Sequence, residues 1–182
     1  MVGASQRAGR LLAVVAVLVA MGLAGCREGP KSAASGQTLR PLPAFELEAL
    51  DGSRFSSDAL AGQVALVDLW ATWCKPCLAE IPHWNEFYER YADQGFTVLG
   101  ITIQSGWASD IKSDVEKFEF EINYPLVVGN EEVEEGFGGV LGFPTTFLIT
   151  RGGKIYKKYT GLYPDKQAEI EADIKKLLLE KP

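Results

Sequence analysis

The apolar run from Val64 to Ala71, broken only by Asp68, leads directly into Trp73-Cys74-Lys75-Pro76-Cys77. A continuous run of this length, rich in valine and leucine, reads as a strand buried on both faces. From Cys77 onward the period changes: Ile81, Trp84, Tyr88 and Tyr91 recur at intervals of three and four, so a helix follows the strand. Pro76 suits the first turn of that helix, where its missing N–H has no partner to lose. Pro82, further in, predicts a kink. The fold must therefore place two thiols, two residues apart, at a junction between a buried strand and a helix, and such a pair can cycle between dithiol and disulfide.

The rest of the chain extends the alternation. Phe45 and Leu47 alternate with Glu46 and Glu48, and Asp51-Gly52 then marks a hairpin turn before Ser53-Arg54-Phe55. Thr97 to Ile103 reads as a second buried strand, and Ile111, Val115 and Phe118 mark a second amphipathic helix. Tyr124 to Val128 reads as a strand and Glu131 to Glu135 as a short acidic helix or turn. Thr145 to Thr150 and Ile155 to Thr160 form a hairpin around Arg151-Gly152-Gly153-Lys154. Asp165 is placed to cap a last helix with Ile170, Ile174, Leu177 and Leu178 inward. Strands and helices in this order give an α/β sandwich.

A thiolate attacks disulfides and a thiol does not, so an exchange site must favour the charged form over a free cysteine. Cys74 stands where the helix begins, so unpaired N–H groups and the positive end of the helix dipole point towards its sulfur, with Lys75 beside it. Cys77, one turn further in, is the expected resolving cysteine, and its proton needs an acceptor. Asp68, an acid inside an apolar strand, is costly unless paired or protonated. A raised pKa would suit it to shuttling that proton; the alternative is a solvent-facing position on the strand. Glu80 lies three residues after Cys77 on the same helix face. Both a part in the proton transfer and an ordinary solvated position remain open for it.

The N-terminus assigns a compartment. Arg7 and Arg10 form a basic n-region and Leu11 to Leu23 an apolar segment, short of the roughly 20 residues of a spanning helix. Leu23-Ala24-Gly25-Cys26 resembles the lipobox of bacterial lipoproteins, which implies cleavage before Cys26 and lipidation of its thiol. Residues 1–25 are then a lipoprotein signal peptide. Residues 26–43, rich in Gly, Ser, Pro, Ala and Lys, read as a flexible tether, and residues 44–182 as the domain. With Cys26 lipidated, Cys74 and Cys77 are the remaining cysteines of the three, and no structural disulfide framework exists. The exported part keeps all 24 acidic residues and 16 of the 18 basic ones, a net charge of −8. No basic patch points to nucleic acid.

Val67-Asp68-Leu69-Trp70-Ala71-Thr72-Trp73-Cys74-Lys75-Pro76-Cys77, with Glu80 and Pro82, resembles the thioredoxin superfamily and its membrane-tethered TlpA/ResA-like branch. Gly142-Phe143-Pro144-Thr145-Thr146-Phe147-Leu148-Ile149 is the second match. The resemblance spans about Phe45 to Leu179. It implies a thioredoxin fold: a central mixed sheet flanked by helices, an N-terminal hairpin, and a TlpA-type central insertion at Tyr124 to Glu135. It also implies that Pro144 is cis beside the cysteine pair and that Trp73, Phe143, Pro144 and Thr145 shape a groove for an extended substrate. The activity implied is thiol-disulfide exchange through the cysteine pair without a cofactor or metal.

The same branch implies a monomer on the extracytoplasmic, or periplasmic, side of a bacterial envelope. It would take electrons from a membrane thiol-disulfide reductase and reduce disulfides of exported proteins such as apocytochromes c or copper-site proteins. Two departures stand out. Many members of the branch carry Asn in place of Asp68, and dedicated cytochrome c biogenesis members often carry Glu in place of Thr145.

Two other classes of function are weighed. A thiol peroxidase of the peroxiredoxin type needs a threonine three residues before its cysteine, and Ala71 stands there. A copper- or metal-binding role needs more donors than two thiols. The single histidine, His83, lies on the far side of the helix from Cys74 and reads as a surface residue. Leu78, directly after Cys77, excludes a c-type haem attachment site. Trp107 follows a strand end where it can rim the groove, and Glu131, Glu132, Glu134 and Glu135 read as a solvated face.

Overall fold

The computed structural model describes residues 39–180. The expected signal peptide, Cys26 and all but the last residues of the expected tether lie outside this range. Among the described residues, seven strands form one mixed sheet: β1 (Glu46–Ala49), β2 (Arg54–Ser56), β3 (Val64–Trp70), β4 (Phe96–Thr102), β5 (Leu126–Val128), β6 (Thr145–Ile149) and β7 (Ile155–Thr160), in the order β2-β1-β5-β4-β3-β6-β7. β3, β4 and β5 run parallel, while β6, β7 and the β1–β2 hairpin are antiparallel to their neighbours. The helices are α1 (Lys75–Tyr91), α2 (Ala108–Val115), α3 (Glu131–Gly136) and α4 (Lys166–Leu179).

All seven residues of β3 are buried, because helices and loops cover both faces of the sheet at its centre. The two-residue period divides the core. Val64, Leu66 and Trp70 pack with Cys77, Ile81, Trp84 and Phe87 of α1 and with Ile170, Ile174 and Leu177 of α4. Ala65, Val67 and Leu69 pack on the other face with Leu99, Ile101, Val133, Phe137 and Phe147. β3 and β4 stay in parallel register from Val64–Phe96 to Trp70–Thr102, which fixes the end from which the thiol loop leaves.

Several local expectations are revised. β5 begins at Leu126 rather than Tyr124, since Pro125 has no N–H to offer a ladder. Asp165 occupies the N-cap position of α4 in the left-handed region, at φ 63°, and its side chain makes no capping bond; its carbonyl instead accepts from Glu169 N–H. The paired chain also starts before residue 44. Ile155 N–H donates to Arg40 O and Leu42 N–H to Gly153 O, so the end of the expected tether lies along the β6–β7 turn.

Gly100 in β4 shows how tightly the sheet centre is filled. A Cβ there would come within 3.1 Å of Trp70 Nε1 and 3.3 Å of Tyr124 Cε2, and closer still to Leu126. Gly100→Ala should therefore lower unfolding stability by about 1–3 kcal/mol through overpacking. Urea denaturation of the variant beside the parent measures it, and an unchanged midpoint would contradict this packing.

Candidate active site

At the end of β3 the chain turns through Ala71, Thr72 and Trp73 into α1, and the segment after β4 holds Trp70, Thr72 and Trp73. Ile103 N–H donates to Trp70 O at 2.7 Å, Thr72 N–H to Ser105 Oγ at 3.0 Å, and the Trp73 indole to Gln104 O at 3.0 Å. The Thr72 hydroxyl donates to Asp114 Oδ2 at 2.9 Å. That hydroxyl is thus engaged with α2, and the residue three before Cys74, Ala71, has none to offer a peroxide.

Cys74 is the N-cap of α1, and its sulfur accepts the Cys77 N–H at 3.3 Å. Pro76 lies in the first turn, as its missing donor allows. Cys74 and Cys77 are joined as a disulfide with their Cα atoms 5.3 Å apart. Cys74 keeps 4% of its surface exposed and Cys77 none.

A groove of about 430 Å³ opens over Cys74, with Trp73, Lys75 and Pro76 on one side and Val140, Leu141 and Phe143 on the other. Trp73 and Phe143 meet edge to face at 5.8 Å. The Phe143–Pro144 peptide is cis, and Pro144 is buried. Thr145 departs from the expected groove: it is fully buried and its hydroxyl donates to Gly142 O at 2.7 Å. Trp107 is 79% exposed but lines a different cavity, beside Glu46 and Arg54. Glu131, Glu134 and Glu135 border a third cavity that shares Gln104 with the groove. His83 is exposed, and among the described residues no group of three or more His, Cys, Asp or Glu is placed to hold a metal ion.

Behind the cysteines lies a buried polar cluster. Asp68 has no exposed surface; its Oδ1 accepts from Thr146 Oγ1 at 2.8 Å and its Oδ2 from Trp84 Nε1 at 3.3 Å. Burial pushes its pKa up to about 6, against the pull of Lys166 and the two hydrogen bonds. Glu80, whose solvated alternative is removed, is also fully buried, with Lys166 Nζ 2.9 Å from each carboxylate oxygen. Burial pushes Glu80 up to about 7, with Lys166 pulling it down and Asp68 pushing it further up. Sequence reasoning missed Lys166. A lysine in the first turn of a helix opposes the helix dipole, and that mismatch was the available signal.

The AhpC/TSA family model matches residues 39–158, a stretch that includes the cysteine pair, Glu80 and the cis proline. The chain is 36% identical over 121 residues to the thiol-disulfide oxidoreductase ResA of Geobacillus thermodenitrificans, covering 65% of this chain and 67% of that one. Among solved structures, a thiol:disulfide interchange protein of the thioredoxin family from Chlorobium tepidum superposes with a TM-score of 0.66 at 30% identity, over 77% of this chain and 97% of that one. The pneumococcal exposed lipoprotein thioredoxin from Streptococcus pneumoniae gives 0.63 at 26% identity, over 74% and 99%.

Both buried carboxyls have pKa values raised above their unfolded ones. The stability tied to their protonated forms is fully present below the unfolded values and is lost as pH rises through about 6 for Asp68 and about 7 for Glu80. Asp68→Asn should flatten this fall and leave the variant more stable than the parent at pH 8, by roughly 1–3 kcal/mol. Urea unfolding at a series of pH values measures both slopes; parallel slopes would refute it.

Proposed function

The chain belongs to the AhpC/TSA family as a ResA-like thiol-disulfide oxidoreductase of thioredoxin fold, and from that premise we propose that it is an exported, lipid-anchored reductant of disulfides in exported proteins. Cys74 is the nucleophile. The observation that carries this role is its position at the N-terminus of α1, at the floor of the groove, with its sulfur already accepting a backbone N–H that favours a thiolate there.

In the reductive direction the Cys74 thiolate attacks one sulfur of a substrate disulfide, and the other sulfur leaves as a thiolate that takes up a proton. Cys77, shielded from solvent, loses its proton to a buried carboxylate and attacks the Cys74 sulfur, releasing the second substrate thiol. Two electrons pass to the substrate and the protein is left with the Cys74–Cys77 disulfide, the state of the pair in this structure. Asp68 and Glu80 are the candidate acceptors, both buried in the cluster behind the pair.

The substrate lies along Trp73 and Phe143. Phe143 precedes the paired register of β6, which starts at Thr145, so its backbone is not committed to β3 or β7 and can hydrogen-bond an extended segment. The apolar groove walls suit a segment with apolar residues beside its cysteine. Among the described residues no helix is long and apolar enough to cross a membrane. Attachment to the membrane rests on the resemblance of Leu23-Ala24-Gly25-Cys26 to a lipobox, with electrons arriving from a membrane thiol-disulfide reductase.

Two experiments test these assignments. Cys74→Ser should abolish reduction of insulin disulfides, a loss of at least about 10³-fold for removal of a nucleophile, while Cys77→Ser should accumulate mixed disulfides with its substrates. Turnover surviving in Cys74→Ser would defeat the assignment. In cells, mass spectrometry of the membrane fraction should find a diacylglycerol-modified Cys26, and Cys26→Ala should release the chain from that fraction; an unmodified, membrane-bound Cys26 would refute the anchor.

A further inference from the structure

Lys166 is fully buried, a rare state for lysine, and it occupies the first residue of α4, where the helix dipole is least favourable to a cation. Its ammonium nonetheless sits between both oxygens of Glu80, with Gln167 Nε2 3.5 Å from the same carboxylate. It also lies 6.0 Å from the centre of the Trp84 ring, whose indole N–H donates to Asp68. Lys166, Glu80, Trp84 and Asp68 thus form one buried network running from α4 through α1 to β3.

Stability alone does not call for this arrangement. A buried ion pair replaced by apolar groups of similar volume often leaves a fold unharmed or improves it. What the ammonium changes is the charge count. The groups facing the cluster are Asp68 from β3, Glu80 from α1, which lies one helical turn after Cys77, Tyr124 from the segment before β5, and Tyr163 before α4; the tyrosines stay neutral because burial and the carboxylates push them up. With one ammonium and two carboxyls, the electrically neutral cluster contains one carboxylate. Without the ammonium it contains none.

We propose that Lys166 is a positioning residue of the thiol chemistry, the built-in counter-ion that keeps one of the two buried carboxyls ionised at neutral pH. A base is thereby ready for the proton of Cys77. The role rests on the reading of Cys74 and Cys77 given above. In the step it serves, the Cys77 proton passes to the carboxylate, giving a neutral carboxyl beside Lys166, and the sulfur electron pair then forms the bond to Cys74 as the substrate thiolate leaves.

The test uses the reduced full-length chain and the aromatic disulfide DTNB, with the single-turnover release of its coloured thiolate followed against pH. Cys74 should release a first equivalent and attack by Cys77 a second. In Lys166→Met the first release should persist, while the pH limb of the second moves up by at least about one unit, making it about tenfold slower at neutral pH and recovering it in alkali. Glu80→Gln combined with Lys166→Met should not restore the neutral-pH rate.

A folded Lys166→Met variant, judged by circular dichroism, with the parent's pH limb would overturn the proposal while leaving the cysteine assignments intact. Absence of a second release in the parent would overturn those assignments and the proposal with them. Should Lys166→Met fail to fold, carbon-13 titration of the side-chain carboxyls in the unsubstituted protein decides: one carboxylate at neutral pH upholds the proposal, and two neutral carboxyls refute it.

Discussion

Asp68 lies midway along a strand with no exposed residue, and keeping its carboxyl out of water draws several elements into register around it. Trp84 reaches it from α1, Thr146 from β6, and the charge of Lys166 acts on it from α4. The two hydrogen bonds satisfy buried polar atoms that would otherwise cost about 1–3 kcal/mol each. Each also sets a docking geometry: α1 must present its Trp84 face to the sheet, and β6 must pair with β3 so that Thr146 stands opposite Asp68. The helix that carries the cysteines is therefore positioned by the same group that is offered as their proton acceptor.

At the open end of the sheet the constraint is different, because the thiol loop must be held while its sulfur stays accessible. The loop is pinned by backbone and side-chain bonds from the segment after β4. Within that segment Gln104 adopts a left-handed backbone, at φ 51°, and turns its carbonyl to the Trp73 indole. A non-glycine residue in that region costs energy and persists where its surroundings demand it. Here it fixes a 61% exposed tryptophan against Phe143, so an apolar wall stands beside Cys74 without collapsing over it. Val140 and Leu141 line the groove with them.

Much of this was legible in the sequence because it is local. The strand-to-helix junction, the hairpin at Asp51-Gly52 and the inward faces of α1 and α4 follow from periodicity and turn chemistry within a few residues. The burial of Asp68 was legible from its apolar neighbours. What escaped is long-range or conformational. Glu80 and Lys166 are 86 residues apart, and no pattern at either site names the other. Thr145 matches a groove position by motif, yet the two-residue period of β6 turns its side chain inward. Arg40 to Leu42 carry no apolar alternation, and their pairing to the β6–β7 turn uses backbone groups alone.

The polar cluster also carries a cost that bears on why it is there. Two carboxyls raised towards neutrality make the folded state less favourable as pH rises, so on stability grounds alone amides or apolar groups would serve better at both positions. A disulfide holds no protons and a dithiol holds two, so each cycle must move protons through a region where Cys77 has no contact with solvent. Carboxyls that titrate between about 6 and 7 can give and take those protons near neutral pH with little driving force wasted in either direction. An amide at these positions could satisfy the hydrogen bonds of Trp84 and Thr146 but could not exchange a proton. On this argument the fold gives up stability at its centre so that a shielded sulfur can change its protonation state.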